Sequence, residues 1–239
     1  MSLPATAICI SGVPKFWEKG LASIKKFFPD ADVFMHIWDI EWEDLGDSLS
    51  GGRIGGYEEE GYDIYHIIKA FDPVSVSIEK FSLYGERWKK RLRWYQERGI
   101  ISGGGHSISF MSARYGMSEA FGLKNNYAKQ VAKKYDYSIR MRFDSDIKEF
   151  DVGLMDKEKV NIPAGEDHSP IGVNDQFAWG PDHLMKKFQT CYNSVDKIIR
   201  DTKIYAPEAN FSEFLQRVKI QPELLHRPDN VTVDINSGS

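Results

Sequence analysis

Cysteine is scarce in this sequence, with only Cys9 and Cys191 among its 239 residues. Two cysteines exclude a disulfide framework and a cysteine-based zinc site. The sequence also lacks a large excess of one charge, because its 31 basic and 35 acidic side chains leave a formal net charge of −4. Without a cationic excess, we do not expect a general nucleic-acid-binding protein.

Long apolar runs are missing as well. The longest stretch without Lys, Arg, Asp or Glu covers residues 99–113 and is rich in Gly and Ser. We therefore expect no transmembrane segment. The first seven residues lack the basic start and the long apolar centre of a signal peptide, so we predict a cytoplasmic protein.

The composition is otherwise that of a globular protein, with 13% aromatic residues available for a core. Segments 5–11 and 32–39 have the apolar character of strands, and segment 16–28 between them has helical periodicity. A strand, a helix and a strand in this order form a βαβ unit, whose two strands are parallel.

The later segments continue this alternation without a break in composition. We predict strands near 74–79, 137–147, 160–163 and 176–179, and helices near 62–70, 86–98, 107–134, 181–200 and 207–218. This order predicts an α/β fold, as a single domain over residues 1–239 with a mainly parallel central sheet flanked by helices.

The predicted strand 137–147 is the most informative segment because its charged residues alternate with apolar ones. Side chains on a strand alternate between faces, so one face would carry Arg140, Arg142, Asp144 and Asp146. Four charges in a buried sheet are costly unless they are paired or used. The segment therefore indicates either a nucleotide or metal site, or an Arg–Asp ladder inside the fold.

Asp144 and Asp146 end this predicted strand, at the edge where open α/β sheets bind ligands. Carboxylates are hard oxygen donors that suit Mg²⁺ or Mn²⁺, and such an ion can bridge a diphosphate. The Asp-x-Asp spacing is weak evidence by itself. Asp30 and Asp32 have the same spacing between a predicted helix and strand, where solvation explains them.

A second candidate segment places three polar side chains, Asn174, Asp175 and Gln176, before an apolar strand. A carboxylate such as Asp175 can act as a base or orient a hydroxyl group, and the amides beside it can bind a polyol. The alternative is a loop in which these side chains only form turns.

Together these segments resemble a known family. The pattern Tyr-Asp-Tyr-x-Ile-Arg-x-Arg-x-Asp-x-Asp over 135–146 precedes Asn-Asp-Gln-Phe-Ala-x-Gly over 174–180 and a later Pro-Glu before a helix. This order resembles the GT-A fold glycosyltransferases, especially the compact bacterial and viral enzymes of surface polysaccharide biosynthesis. The resemblance spans about residues 5–226. It implies a GT-A-like (Rossmann-like) domain that transfers a sugar from a nucleotide-sugar donor, UDP-linked, to a hydroxyl of a glycan or small-molecule acceptor.

The resemblance also implies site residues. The first strand and its loop would cradle the nucleoside through Ile10, Ser11, Gly12 and Val13, and Asp39 would lie near the base or ribose. In the same family an Asp-x-Asp pair holds the ribose and Mn²⁺ or Mg²⁺, which assigns the metal to Asp144 and Asp146. A histidine near the C-terminus often completes that metal shell, and His226 is the candidate here.

Three further roles complete the implied site. Arg142 would stand near the donor sugar or its phosphates, and Asp175 would be the catalytic carboxylate that faces a sugar. Asn174 and Gln176 beside it would bind the nucleotide sugar. We expect His36, in the middle of a predicted strand, to be a hydrogen-bonded core residue rather than a ligand.

Two rival functions stay open. A sugar-phosphate nucleotidyltransferase also uses paired Asp residues with Mg²⁺, but segment 12–15 is not the extended Gly-rich, basic loop that a triphosphate requires. A non-catalytic sugar-binding module would use Asp175 and aromatic rings without turnover. The basic helix predicted over 86–98 is either a solvated face or a patch that meets an anionic acceptor or a membrane surface.

Overall fold

The structure is a computed structural model that describes residues 4–40, 62–101, 108–151, 153, 156–164, 172–225 and 231–235. The strands are β1 (Thr6–Gly12), β2 (Asp32–Asp39), β3 (Ser75–Lys80), β4 (Tyr137–Met141), β5 (Ser145–Phe150), β6 (Asn161–Pro163), β7 (Ala178–Pro181), β8 (Glu223–Leu225) and β9 (Val231–Ile235). The helices are α1 (Trp17–Phe27), α2 (Ile64–Phe71), α3 (Ser82–Glu97), α4 (Ser109–Gln130), α5 (Asp182–Met185), α6 (Cys191–Thr202) and α7 (Pro207–Arg217).

Seven of these strands form one mixed sheet in the order β3-β2-β1-β4-β7-β6-β8. Four neighbouring pairs are parallel, and β7 runs antiparallel to both β4 and β6. The predicted α/β class with a mainly parallel sheet is therefore confirmed. Strands β5 and β9 form a separate antiparallel pair. None of the helices described is long and apolar enough to cross a membrane.

Strand β1 lies inside the sheet and is buried on both faces, which explains why its sequence is apolar throughout. Ile8 and Ile10 pack with residues of α1 and α2 on one face. Cys9 packs with residues of α4, α6 and α7 on the other. Burial raises the pKa of the Cys9 thiol to about 12, so this cysteine behaves as an apolar core residue.

His36 on β2 is a buried, hydrogen-bonded core residue, as predicted. Its Nε2 lies 3.0 Å from Glu79 Oε2, and Glu79 Oε1 accepts hydrogen bonds from the hydroxyls of Tyr84 and Tyr115. Burial alone would raise the pKa of Glu79, but these hydrogen bonds, led by that of His36, outweigh it and lower the pKa. Gly116 lets α4 approach, because a Cβ there would lie 2.9 Å from His36 Nδ1.

The prediction of one continuous strand over 137–147 is wrong. Strand β4 ends at Met141, and β5 begins at Ser145 after a turn and then pairs with β9 outside the main sheet. Within the turn, the Arg142 N–H donates to Ser145 Oγ at 3.1 Å. The charged residues of this segment therefore do not share one strand face.

The predicted helix over 181–200 is also interrupted. Helix α5 is followed by a 3-10 turn over Lys186–Thr190 before α6 begins. The Thr190 hydroxyl donates to the Lys187 carbonyl at 2.8 Å, a side-chain bond that competes with the helical ladder. The neighbouring strand β7 begins two residues later than predicted, at Ala178.

Gly20 brings α1 close to the turn between β4 and β5. Its N–H donates to the Phe143 carbonyl at 3.1 Å, and a Cβ at Gly20 would collide with that carbonyl oxygen. We expect Gly20→Ala to lower the free energy of unfolding by about 1–3 kcal/mol, because the helix or the turn must move. Urea unfolding measures this change.

Gly122→Ala is the matched control, because it also adds a methyl group within a helix. Its Cβ would lie 3.7 Å from Gln189 Nε2, an ordinary contact. We expect this variant to be as stable as the wild type or up to about 1 kcal/mol more stable, since alanine favours helix more than glycine does. Equal losses in the two variants would contradict a specific close approach at Gly20.

Candidate functional site

A cleft of about 360 Å³ opens where β1, β2 and β4 end. Its opposite wall comes from the first turns of α4 and α7, which contribute Ser109, Phe110, Ser112, Ala113, Pro207 and Glu208. Ligands of open α/β sheets bind at this carboxyl edge of the strands. The cleft therefore lies where the sequence places its site.

The end of β1 lines the cleft through Ser11, Gly12 and Val13, three of the predicted nucleoside-binding residues. Gly12 has a φ of 129°, in the region that favours glycine, so the chain can turn there beside the cleft. The predicted residue Ile10 does not line the cleft, because its side chain packs in the core beside α1 and α2.

Asp39, predicted to lie near the base or ribose, is likewise absent from the cleft wall. Its backbone carbonyl accepts a hydrogen bond from the Phe81 N–H at 2.9 Å. The preceding residue, Trp38, lines the cleft instead. The Nε1 of Trp38 is buried and finds no hydrogen-bond partner within the described ranges.

Arg142 and Asp144 both line the cleft and form a bidentate ion pair. Arg142 Nε donates to Asp144 Oδ1 at 2.9 Å, and Nη2 donates to Oδ2 at 2.5 Å. The structure thus contains one rung of the Arg–Asp ladder that the sequence left open. Lys15 lines the cleft beside this pair, and burial lowers the pKa of its amine while Asp144 opposes that shift.

The predicted metal ligands do not come together in the described structure. Asp146 lies on β5, where its carboxylate pairs with Lys148 Nζ at 2.5 Å, and it does not line the cleft. Both carboxylate oxygens of Asp144 already accept from Arg142. His226 lies outside the described residues.

Among the residues that the structure describes, no three His, Cys, Asp or Glu side chains are grouped as a metal site. The donor set as arranged therefore does not fit Mn²⁺ or Mg²⁺, which usually binds to several oxygen ligands at once. Metal binding through Asp144, Asp146 and His226 stays a prediction of the sequence.

Arg140 is buried at the cleft, with only 3% of its surface exposed. Its Nη1 donates to the Met141 carbonyl, whereas its Nε has no hydrogen-bond partner in the described part of the chain. Burial lowers the pKa of Arg140 to about 10, and the nearby Asp175 opposes the shift. The side chain is therefore still a cation at neutral pH.

Asp175 lines the opposite side of the cleft and is held by Arg114, a residue that the sequence analysis missed. Arg114 is fully buried on α4, and its Nη1 lies 2.8 Å from Asp175 Oδ2. Its Nη2 donates to the Pro207 carbonyl at 2.7 Å, and its guanidinium lies over the rings of Phe110 and Phe211.

A signal for Arg114 exists in the sequence. It occupies a core-facing position of α4, in helical register with Phe110, Met117 and Phe121, where an apolar residue would be expected. A buried arginine in such a position requires an acidic partner. Helical periodicity alone does not identify that partner, because Asp175 lies far along the chain.

The two amide residues of segment 174–176 have different roles. Asn174 Oδ1 accepts from the Gln176 N–H at 2.9 Å, so this predicted ligand forms a turn and does not line the cleft. Gln176 does line the cleft, and its buried Oε1 has no hydrogen-bond partner within the residues described. Glu208 lines it as well, just after Pro207 in the first turn of α7.

Removing the Asp175 carboxylate should destabilise the fold as well as alter the cleft. We expect Asp175→Asn to lower the free energy of unfolding by up to about 3–5 kcal/mol, because the buried Arg114 loses its counter-charge. The double variant Arg114→Met/Asp175→Asn should recover part of this loss, since no unpaired charge then remains. Urea unfolding of the two single variants and the double variant measures the coupling.

Asp201→Asn serves as the control for this cycle. Asp201 pairs with Arg217 at 2.8 Å and is about half exposed, with 49% of its side-chain surface accessible. We expect its loss to change the stability by less than about 1 kcal/mol. An Asp175→Asn variant no less stable than Asp201→Asn would contradict a buried ion pair.

The chain was also compared with known proteins. No protein-family model and no curated protein matches it. The side chains of the cleft, their charges and their partners therefore carry the functional argument.

Proposed function

We propose that this chain is a glycosyltransferase that moves a sugar from a UDP-sugar or a related nucleoside-diphosphate donor to a hydroxyl group of a glycan-type acceptor. The observation that carries the proposal is the meeting of Lys15, Arg140 and Arg142 with Asp175 in one cleft at the carboxyl edge of the sheet. Cations suit a diphosphate, and a carboxylate suits a hydroxyl.

The donor side of the cleft follows from the strands. The end of β1 and Trp38 of β2 would form the nucleoside wall, and Gly12 leaves open space there because a Cβ would meet no atom within 4 Å. Arg140 and Lys15 lie next to this wall and would face the diphosphate. Negative charge grows on the leaving diphosphate during transfer, so fixed cations stabilise the transition state.

The acceptor side follows from Asp175. Arg114 holds Oδ2 of this carboxylate at 2.8 Å, which fixes its direction on the cleft wall. A fixed carboxylate can accept the proton of an acceptor hydroxyl or orient that hydroxyl for attack. Gln176 adds an amide whose Oε1, which has no partner among the described residues, can accept a hydrogen bond from a sugar hydroxyl.

The proposed sugar transfer relies on neither Mn²⁺ nor Mg²⁺. In the structure Arg142 pairs with Asp144 and Lys148 pairs with Asp146, so a metal would first have to displace both cationic side chains. The cytoplasmic location and the family likeness to GT-A enzymes remain part of the proposal. The two sequence segments 135–146 and 174–180 support the family likeness.

The charges of the cleft bear on the two rival functions. A module that binds neutral sugars has no need of a buried arginine at its cleft, so Arg140 favours a phosphate-bearing ligand. A nucleotidyltransferase would release pyrophosphate from a nucleoside triphosphate. A glycosyltransferase would release the nucleoside diphosphate from the sugar nucleotide, so the products separate the two enzymes.

A panel of nucleotide sugars, screened by thermal shift, would first select the donor, because a ligand that binds the native state raises its apparent stability. We expect the selected donor to release its nucleoside diphosphate on incubation with the chain. We further expect Asp175→Asn to lower kcat by about 10²-fold or more and to change the donor-product Kd by less than about threefold.

The assay is run at a temperature where Asp175→Asn is folded, as judged by circular dichroism, with Asp201→Asn as the control. Pyrophosphate release from a nucleoside triphosphate would support the nucleotidyltransferase instead. Glycan binding without any donor turnover would support the sugar-binding module.

A further inference from the structure

Arg140 differs from the other arginines around the cleft in having no carboxylate partner in the described part of the chain. Arg142 donates through two nitrogens to Asp144, and Arg114 pairs with Asp175. Arg140 donates from Nη1 to a backbone carbonyl, and its buried Nε has no partner within the described residues. A buried guanidinium whose donors are not all used is costly unless an anion binds to it.

Counted over the described residues, the other charges around the cleft balance one another and leave that of Arg140 in excess. The pairs Arg142–Asp144 and Arg114–Asp175 are each neutral. Lys15 and Glu208 add one charge of each sign to the cleft wall. The remaining charge is that of Arg140, which lies at the wall and is almost fully buried.

From this geometry we infer that Arg140 is the anion-binding group of the cleft and takes a phosphate oxygen of the ligand without a bridging divalent metal. The inference rests on the proposed function for the identity of that ligand, the donor diphosphate. A guanidinium binds phosphate through N–H groups in a fixed planar arrangement. Since Arg140 is held in place by burial, little ordering is needed when the ligand binds.

A divalent ion at Asp144 would conflict with this arrangement. It would have to displace Arg142 from both carboxylate oxygens, and it would then lie in the same cleft as the buried charge of Arg140. Two cations that share a cleft repel each other. The arginines therefore supply the positive charge that the sequence motif assigned to a metal.

The experiment measures binding to the full chain by calorimetry, in EDTA and in Mn²⁺. The probes are UDP, uridine, inorganic pyrophosphate and glucuronate, which separate a phosphate from a carboxylate as the bound anion. In EDTA we expect UDP to bind at least about tenfold more tightly than uridine, and pyrophosphate to compete with UDP. We expect Mn²⁺ to change the Kd of UDP by less than about threefold.

Variants then assign the effect to Arg140. In EDTA, Arg140→Gln should weaken UDP binding by about 30-fold or more and leave uridine binding unchanged, and Arg140→Lys should restore part of the loss. Arg87→Gln, on the exposed face of α3, should bind UDP like the wild type. If Arg140→Gln does not fold, Arg140→Lys is compared with the wild type, because it keeps the charge but loses the planar set of N–H donors, and an unchanged Kd for UDP in EDTA would contradict the assignment to Arg140.

The other outcomes are distinguishable. Equal binding of UDP and uridine in EDTA, with tight UDP binding only in Mn²⁺, would overturn this inference and leave the glycosyltransferase proposal in place. Binding of glucuronate but not of pyrophosphate would overturn the phosphate assignment. Failure of every nucleotide in both buffers would overturn the proposed function together with the inference.

Discussion

The ion pair between Arg114 and Asp175 joins three parts of the chain at the cleft. Arg114 belongs to α4, Asp175 to the segment before β7, and the Pro207 carbonyl, which also accepts from Arg114, to the start of α7. Because the guanidinium is fully buried, its charge requires a counter-charge within the fold, which Asp175 provides. One wall of the cleft is therefore fixed by an electrostatic requirement of the core.

The facing wall is fixed by close packing of the backbone. Gly20 lets α1 contact the carbonyl of Phe143, and this contact holds the turn that follows β4. Arg142 and Asp144 lie on either side of Phe143, so the same contact places their ion pair at the cleft. A methyl group added at Gly20 in α1 would therefore disturb Arg142 and Asp144, although Gly20 lies far from them in the sequence.

Periodicity predicted the first βαβ unit well, because β1, α1 and β2 are long relative to the turns and strongly patterned. Periodicity could not predict the break between β4 and β5 within segment 137–147. Apolar and charged residues alternate through the turn, and no Gly or Pro marks it. The location of the cleft followed from the sheet, and Ser11, Gly12, Val13, Arg142, Asp144, Asp175 and Gln176 do line it.

The remaining site residues depend on long-range contacts that a local pattern does not encode. Arg114 lies within an amphipathic helix, and Arg140 differs from Arg142 in being buried and in having no carboxylate partner among the residues described. Ile10 and Asn174 are next to residues that line the cleft, yet the first packs in the core and the second forms a turn. Residues that are adjacent in the sequence therefore differ in whether they line the cleft.

The charged groups of the cleft also have different functions in the proposed reaction. The two neutral ion pairs fix the directions of Asp144 and Asp175, whereas Arg140, which has no carboxylate partner among the described residues, is the group that we propose to bind an anion. In the proposed transfer, negative charge develops on the leaving diphosphate near Arg140, and the acceptor hydroxyl loses its proton near Asp175. Arg114 pairs with Asp175 and Arg140 lies at the cleft wall, so the proposed reaction would place the diphosphate and the carboxylate in one small cleft with a cation beside each.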